Sequence, residues 1–182
     1  PADSSFALRA SIPNPPFALV KRLDAAMRKA GIAVDGEPVP ERVSTEGKKS
    51  LSVAVTLSPT LAEIVKVTNH ESVNMYAEAL RKHLGREILG EGTWNAGSAV
   101  IRQFLDSIGC QPDQAVILDG SGLSSNNNIS ALMTVRLLVH MHNSSVSEPF
   151  IASLPMGAVS GTMKYYFRDE IFKGRVVAKT GT

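Results

Sequence analysis

Residues 60–85, TLAEIVKVTNHESVNMYAEALRKHLG, read as two helices broken by a polar corner. Thr60 followed three residues later by Glu63 is a capping-box pattern, in which two backbone N–H groups left over at a helix start are satisfied reciprocally. Leu61, Ile64, Val65 and Thr68 continue at helical spacing. A second run, Met75, Ala79, Leu80, His83 and Leu84, ends at Gly85, and residues 69–74 mark the junction between the two.

Working outward, residues 51–57 place Leu51, Val53, Val55 and Leu57 on one face, the two-residue period of a half-buried strand. Residues 35–50 have no period and read as a loop. Asn14-Pro15-Pro16 supplies a helix cap and first-turn prolines ahead of Leu19, Leu23, Met27 and Ala30, with Gly31 as the stop and a short strand over residues 6–12 before it. Toward the other end, Asn95 is a candidate cap for a helix through Val100, Ile101, Phe104, Leu105 and Ile108. A brief strand at residues 115–118 then runs into the turn-rich Asp119-Gly120-Ser121-Gly122-Leu123-Ser124. Ser130 caps a further helix through Leu132, Met133, Leu137, Leu138 and Met141, residues 143–148 read as a polar loop, and residues 175–180 as a closing strand. Helices and strands alternate irregularly, which predicts the α+β class.

Composition narrows the function classes. The 182 residues are 43% hydrophobic and 20% charged, ordinary values for a folded domain. Nineteen Lys and Arg against 17 Asp and Glu, scattered along the chain, argue against a nucleic-acid surface. Cys110 is the one cysteine, so no internal disulfide forms, and no Cys or His spacing resembles a metal site. No apolar run approaches the ~20 residues of a spanning helix, so no transmembrane segment is expected. The start, Pro1-Ala2-Asp3-Ser4, has no initiator methionine and the end stops within an expected strand, so both ends are expected to be cut.

Two short motifs carry the chemistry. Lys179-Thr180-Gly181-Thr182 ends the last strand, and Ser72-Val73-Asn74 sits at the helix junction about a hundred residues earlier. An ammonium on a strand edge, with the Thr180 and Thr182 hydroxyls, suits a peptide carboxylate through charge-assisted hydrogen bonds. Gly181 has no side chain, so a substrate backbone can come close. The pair matches, in order, the K-T-G and S-x-N motifs of the serine penicillin-recognising enzymes. With Ser58-Pro59-Thr60-Leu61 through Asn69, Ser72 to Leu80, residues 119–124 and the Gly161-Thr162-Met163 region, the chain closely resembles the class C low-molecular-mass penicillin-binding proteins, the D-alanyl-D-alanine carboxypeptidase/endopeptidase family. The resemblance runs from about Ile12 to Thr182.

That resemblance implies part of a β-lactamase/transpeptidase-like domain, with helices packed against an antiparallel sheet, residues 1–182 being its C-terminal part. It implies hydrolysis through an acyl-serine without metal or organic cofactor, peptidoglycan stem peptides as substrates, β-lactams as inhibitors of the parent enzyme, and a bacterial periplasm or cell envelope location. Ser72 would relay a proton, Asn74 would orient the substrate amide, Lys179 would keep the local potential positive, and the Thr182 N–H would donate half of the oxyanion hole. The first family motif, S-x-x-K, is missing: no serine has lysine three residues on, Thr45 with Lys48 and Ser160 with Lys164 being the nearest imitations. The strands that follow K-T-G are also missing, so the chain by itself is expected to bind or cleave poorly. Val73 stands where class C enzymes often carry an acid, which leaves no carboxylate role at that position.

Plainer readings compete at each position. Singly, Lys179 reads as a solvated strand lysine and Ser72 as a helix cap; their joint occurrence favours the motif reading. Ser121 is no nucleophile elbow, because Asp119 and Leu123 stand where glycines are needed; Asp119 is left as a support behind the site. His70-Glu71 fails as a zinc motif at Asn74, and Gly47-Lys48-Lys49 lacks the rest of a phosphate loop. His70, His83, His140 and His142 read as surface or packing residues, Met75, Met133, Met141, Met156 and Met163 as core filler, and Trp94 as a loop anchor. Two rival functions stand beside the peptidase: a β-lactamase or esterase of the same superfamily, and a non-catalytic envelope binding module.

Overall fold

Asn14 opens the first helix, α1 (Pro15–Lys29), its Oδ1 accepting from the Phe17 N–H at 3.1 Å. Pro15 and Pro16 fill positions where a missing N–H costs nothing, and Gly31, at φ 80°, follows the helix end. The computed structural model describes residues 12–41, 47, 54–111 and 115–181. It divides into two units, Pro1–Val55 with α1 and Thr56–Thr182 with every other element.

In the second unit the Thr60 capping box forms: the Thr60 N–H donates to Glu63 Oε2 at 2.8 Å and the Glu63 N–H to Thr60 Oγ1 at 3.3 Å. It starts α2 (Leu61–Glu71), and a single residue after the Ser72 stop leads into α3 (Asn74–Leu89). Gly85 does not end α3, which runs on to a left-handed Gly90. Gly85 is buried inside the helix because α4 (Trp94–Ser107) crosses there: a Cβ on it would lie 2.7 Å from both the Glu91 carbonyl and the Gly97 nitrogen. The cap of α4 is Thr93, whose hydroxyl accepts from the Ala96 N–H at 3.1 Å, and not Asn95, which lies inside the first turn.

The main core joins α4 to α5 (Ala131–His142): Leu105, Cys110, Ala115 and Met133 are buried together, with Ile101, Ile108 and Ile117 packed against them. Ser130 caps α5 through the Met133 N–H at 3.2 Å. A short helix, α6 (Ser147–Ser153), replaces the end of the expected polar loop and packs on α2, where Asn69 Nδ2 donates to the buried Ser153 Oγ at 2.9 Å. Met133 and Met163 are core residues as expected, but Met75 is 71% exposed.

Among the described residues there is no strand. Antiparallel pairing is limited to two isolated bridges, Val116 with Asn128 and Met156 with Val177, so the expected strands at 115–118 and 175–180 each contribute a single rung. Residues 54–57 form no strand, residues 51–53 lie outside the described ones, and so do residues 6–11 of the expected first strand. Alternation of apolar residues supplies a face, whereas a ladder also needs a neighbouring backbone. No helix among the described residues is long and apolar enough to cross a membrane.

Candidate active site

The corner between α2 and α3 is built on a strained residue. Ser72 caps α2 in the left-handed region, φ 54° and ψ 52°, with its N–H on the Thr68 carbonyl. A Cβ there crowds the following carbonyl and costs about 1 kcal/mol. Ser72→Gly and Ser72→Ala both remove the hydroxyl, but only glycine relieves the backbone. The glycine variant is therefore expected to be the more stable by about 1 kcal/mol in urea unfolding, and equal stabilities would contradict the left-handed assignment.

The corner meets the chain's far end. Lys179 Nζ donates to Ser72 Oγ at 3.1 Å and to the Thr180 carbonyl at 2.9 Å. Since the ammonium occupies a lone pair of Oγ, the Ser72 hydroxyl hydrogen points elsewhere and remains able to donate. No carboxylate among the described residues lies in ion-pair range of Lys179, and burial holds its ammonium below the ordinary lysine value. Thr180 Oγ1 donates to Thr162 Oγ1 at 3.0 Å, which ties the chain end to the turn after α6.

These residues line one cleft of about 430 Å³, with Ser72, Val73 and Asn74 at the corner, residues 179–181 along another side and residues 120–123 forming a further wall. A Cβ added to Gly181 would meet nothing within 4 Å, so the space above that backbone is open. Thr182 lies outside the described residues. Asp119 does not line the cleft: its carboxylate accepts from the Gly122 and Ser124 N–H groups, both at 2.6 Å, and from Asn127 Nδ2 at 2.9 Å, and so shapes the 119–124 turn from behind. A larger groove of about 770 Å³ between α2 and α3, lined by Ile64, Val67, Tyr76, Ala79 and Leu80, is mainly apolar. No group of three His, Cys, Asp or Glu side chains among the described residues could hold a metal.

Sequence reasoning missed what stands behind the 120–123 wall. Glu78, one helical turn after Asn74, accepts from the Gly120 N–H at 2.7 Å and the Ser121 N–H at 3.1 Å through Oε1. Its Oε2 accepts from Arg81 at 3.3 Å and from the Trp94 indole at 3.1 Å, so Trp94 anchors to α3. The four-residue spacing from Asn74 was the available signal. Burial works to raise the Glu78 carboxyl, but the Gly120 and Ser121 N–H groups, the Ser121 hydroxyl and the Arg81 charge outweigh it and hold it below 4.5. A depressed folded value means stability that is present above the unfolded value and lost as pH falls through the folded one. The stability advantage of wild type over Glu78→Gln is thus expected near pH 6 and should shrink below pH 4.5; a gap in unfolding temperature that stays constant down to about pH 3 would contradict this.

The sequence profile of the D-Ala-D-Ala carboxypeptidase 3 (S13) family matches residues 3–182. The chain belongs to that family. Its relatives include the D-alanyl-D-alanine carboxypeptidase of Actinomadura sp. (strain R39), 32% identical over 188 residues, which cover 100% of this chain and 35% of that protein. Carboxypeptidase DacB of Mycolicibacterium smegmatis is 31% identical over 172 residues, 88% of this chain and 36% of the relative. The chain thus spans about a third of the length of these relatives. Penicillin-binding protein 4 of Haemophilus influenzae, solved with a bound β-lactam, superposes with a TM-score of 0.80 at 20% identity over 97% of this chain and 41% of that one. The described residues therefore have the fold of part of a penicillin-binding protein.

Proposed function

We propose that this S13 chain forms one side of the active cleft of a serine D-alanyl-D-alanine carboxypeptidase/endopeptidase that acts on peptidoglycan stem peptides in the bacterial cell envelope and is acylated by β-lactams. The observation that carries the proposal is the contact of Lys179 Nζ with Ser72 Oγ in a cleft lined by no carboxylate among the described residues. An ammonium with no carboxylate partner among the described residues is suited to receive one, and a stem peptide ends in a carboxylate.

In this reading Lys179, Thr180 and Thr182 hold that carboxylate, the substrate backbone lies over the open side of Gly181, and the Asn74 amide orients the scissile amide. The attacking serine comes from outside these 182 residues, which contain no Ser-x-x-Lys. It forms an ester with the penultimate D-alanyl carbonyl, whose oxyanion takes a hydrogen bond from the Thr182 N–H. The Ser72 hydroxyl passes a proton to the departing amine, and water then hydrolyses the ester. Residues 175–181 serve as the edge of an antiparallel sheet completed by other parts of the longer enzyme, and the Met156–Val177 bridge is one rung of it. The 182 residues alone should be inactive.

The test is release of D-alanine from a peptide ending in D-Ala-D-Ala by the full-length gene product, with mass spectrometry of the protein after β-lactam treatment. D-Alanine release and a stable adduct on a serine outside residues 1–182 are expected. Absence of both would overturn the proposal, and rapid loss of the adduct would replace it with a β-lactamase.

A further inference from the structure

Resting on the peptidase reading above, we propose that Glu78 is a positioning residue that, braced by Arg81 and Ser98, fixes the backbone at Gly120 and Ser121 and thereby the cleft wall against which the substrate peptide is held. The brace can be followed atom by atom. Glu78 Oε1 takes both wall N–H groups, and Oε2 takes Arg81. Arg81 is only 4% exposed, and its remaining polar contacts go to Ser98 Oγ at 3.1 and 2.7 Å. Ser98 Oγ in turn donates to the Ile117 carbonyl at 3.3 Å, on the segment leading into the wall. The network thus ties α3, α4 and residues 117–121 together at both ends of the wall's lead-in.

Two features favour positioning over simple support of the fold. The crossing of α3 and α4 is already closed by Gly85 and Gly97, so the brace is not needed to bring those helices together. Gly120 sits so tightly on α3 that a Cβ would lie 2.9 Å from the Ala77 carbonyl, which leaves its N–H directed at Glu78. A carboxylate that accepts two successive N–H groups fixes their direction as well as their distance. Without it the wall can shift by a substantial fraction of an ångström, and misplacements of about 1 Å cost on the order of 10²-fold in well-ordered sites. Because the Lys179 ammonium bonds to Ser72 Oγ and the Thr180 carbonyl and not to residues 120–123, the loss should fall on substrate binding.

Steady-state kinetics and amide exchange on the full-length gene product test this. Glu78→Ala is expected to raise KM for the D-Ala-D-Ala peptide about 10-fold or more with kcat within about 3-fold, and to speed hydrogen exchange at Gly120 and Ser121. Glu78→Gln keeps an amide oxygen for both wall N–H groups but turns a donor NH2 toward Arg81 and Trp94, so its KM should fall between those of wild type and Glu78→Ala. An unchanged KM in Glu78→Ala, or a glutamine variant as impaired as alanine, would overturn the proposal. Should Glu78→Ala fail to fold, Glu78→Asp carries the test: it keeps the charge but withdraws the oxygens by one methylene, so a raised KM is expected and an unchanged KM overturns the proposal. A wild-type protein that releases no D-alanine counts against the peptidase reading alone, and exchange at Gly120 and Ser121 in these variants still decides the brace.

Discussion

Lys179→Ala should lower kcat/KM for D-alanine release by the full-length gene product about 10³-fold, a loss of the size seen when a fixed electrostatic group is taken from a reacting centre. The ammonium contributes a charge for the substrate carboxylate and a donor on Ser72 Oγ, and alanine removes both. Stability should move little. Burial depresses the folded-state value of Lys179 below 10.5, so between that value and 10.5 the unfolded chain binds more protons. The ammonium is therefore a cost to the fold at neutral pH, relieved only as pH rises through the folded value. Removing it should leave the unfolding free energy within about 0.5 kcal/mol of wild type or slightly above it. A rate within a few-fold of wild type would remove Lys179 from the mechanism, and a collapse of the fold would reclassify it as structural.

The largest effect on stability is expected from Gly97→Ala. Alanine in a helix interior normally gains about 1 kcal/mol over glycine. At this position the new Cβ would press against Arg81 of α3, 2.7 Å from its Cγ and 2.8 Å from its carbonyl carbon, and nearer still to its carbonyl oxygen. A backbone atom cannot swing aside as a side chain can, so the helices must separate, at about 3 kcal/mol. The clash wins, and a net loss of about 2 kcal/mol in urea unfolding is expected. A stability gain would mean that α3 and α4 do not cross at Gly85 and Gly97.

How far the sequence could be read depends on how local each determinant is. Asn14, the Thr60–Glu63 pair and Ser130 announce helix starts because the cap and the backbone N–H that donates to it lie three residues apart. Gly85 misled because a glycine near the end of an apolar period looks like a stop, whereas its role is set by Gly97 on another helix. By type Asn95 is the better cap, and the fold nevertheless uses Thr93. The helix α6, seven residues long, has too few turns to show a period. Sheet partners are the least local determinant of all, and the two bridges found were not foreseeable as pairs. In the candidate site, Ser72, Asn74, Lys179, Thr180 and Gly181 were nameable from two tripeptides, and the structure brings them to one cleft. Glu78 could be placed on the face of Asn74 by spacing, but its role could not be read, since the N–H groups it holds lie 42 and 43 residues away.

The claim on which the rest depends is that the Ser72 hydroxyl and the Lys179 ammonium act as one unit, and a double-mutant cycle tests it most directly. Ser72→Ala, Lys179→Ala and the double variant of the full-length gene product would be compared by kcat/KM for D-alanine release. Groups that work through each other are strongly non-additive, so the double variant should be within about 10-fold of the worse single variant. Losses that multiply, each substitution costing its full factor in the presence of the other, would contradict the account.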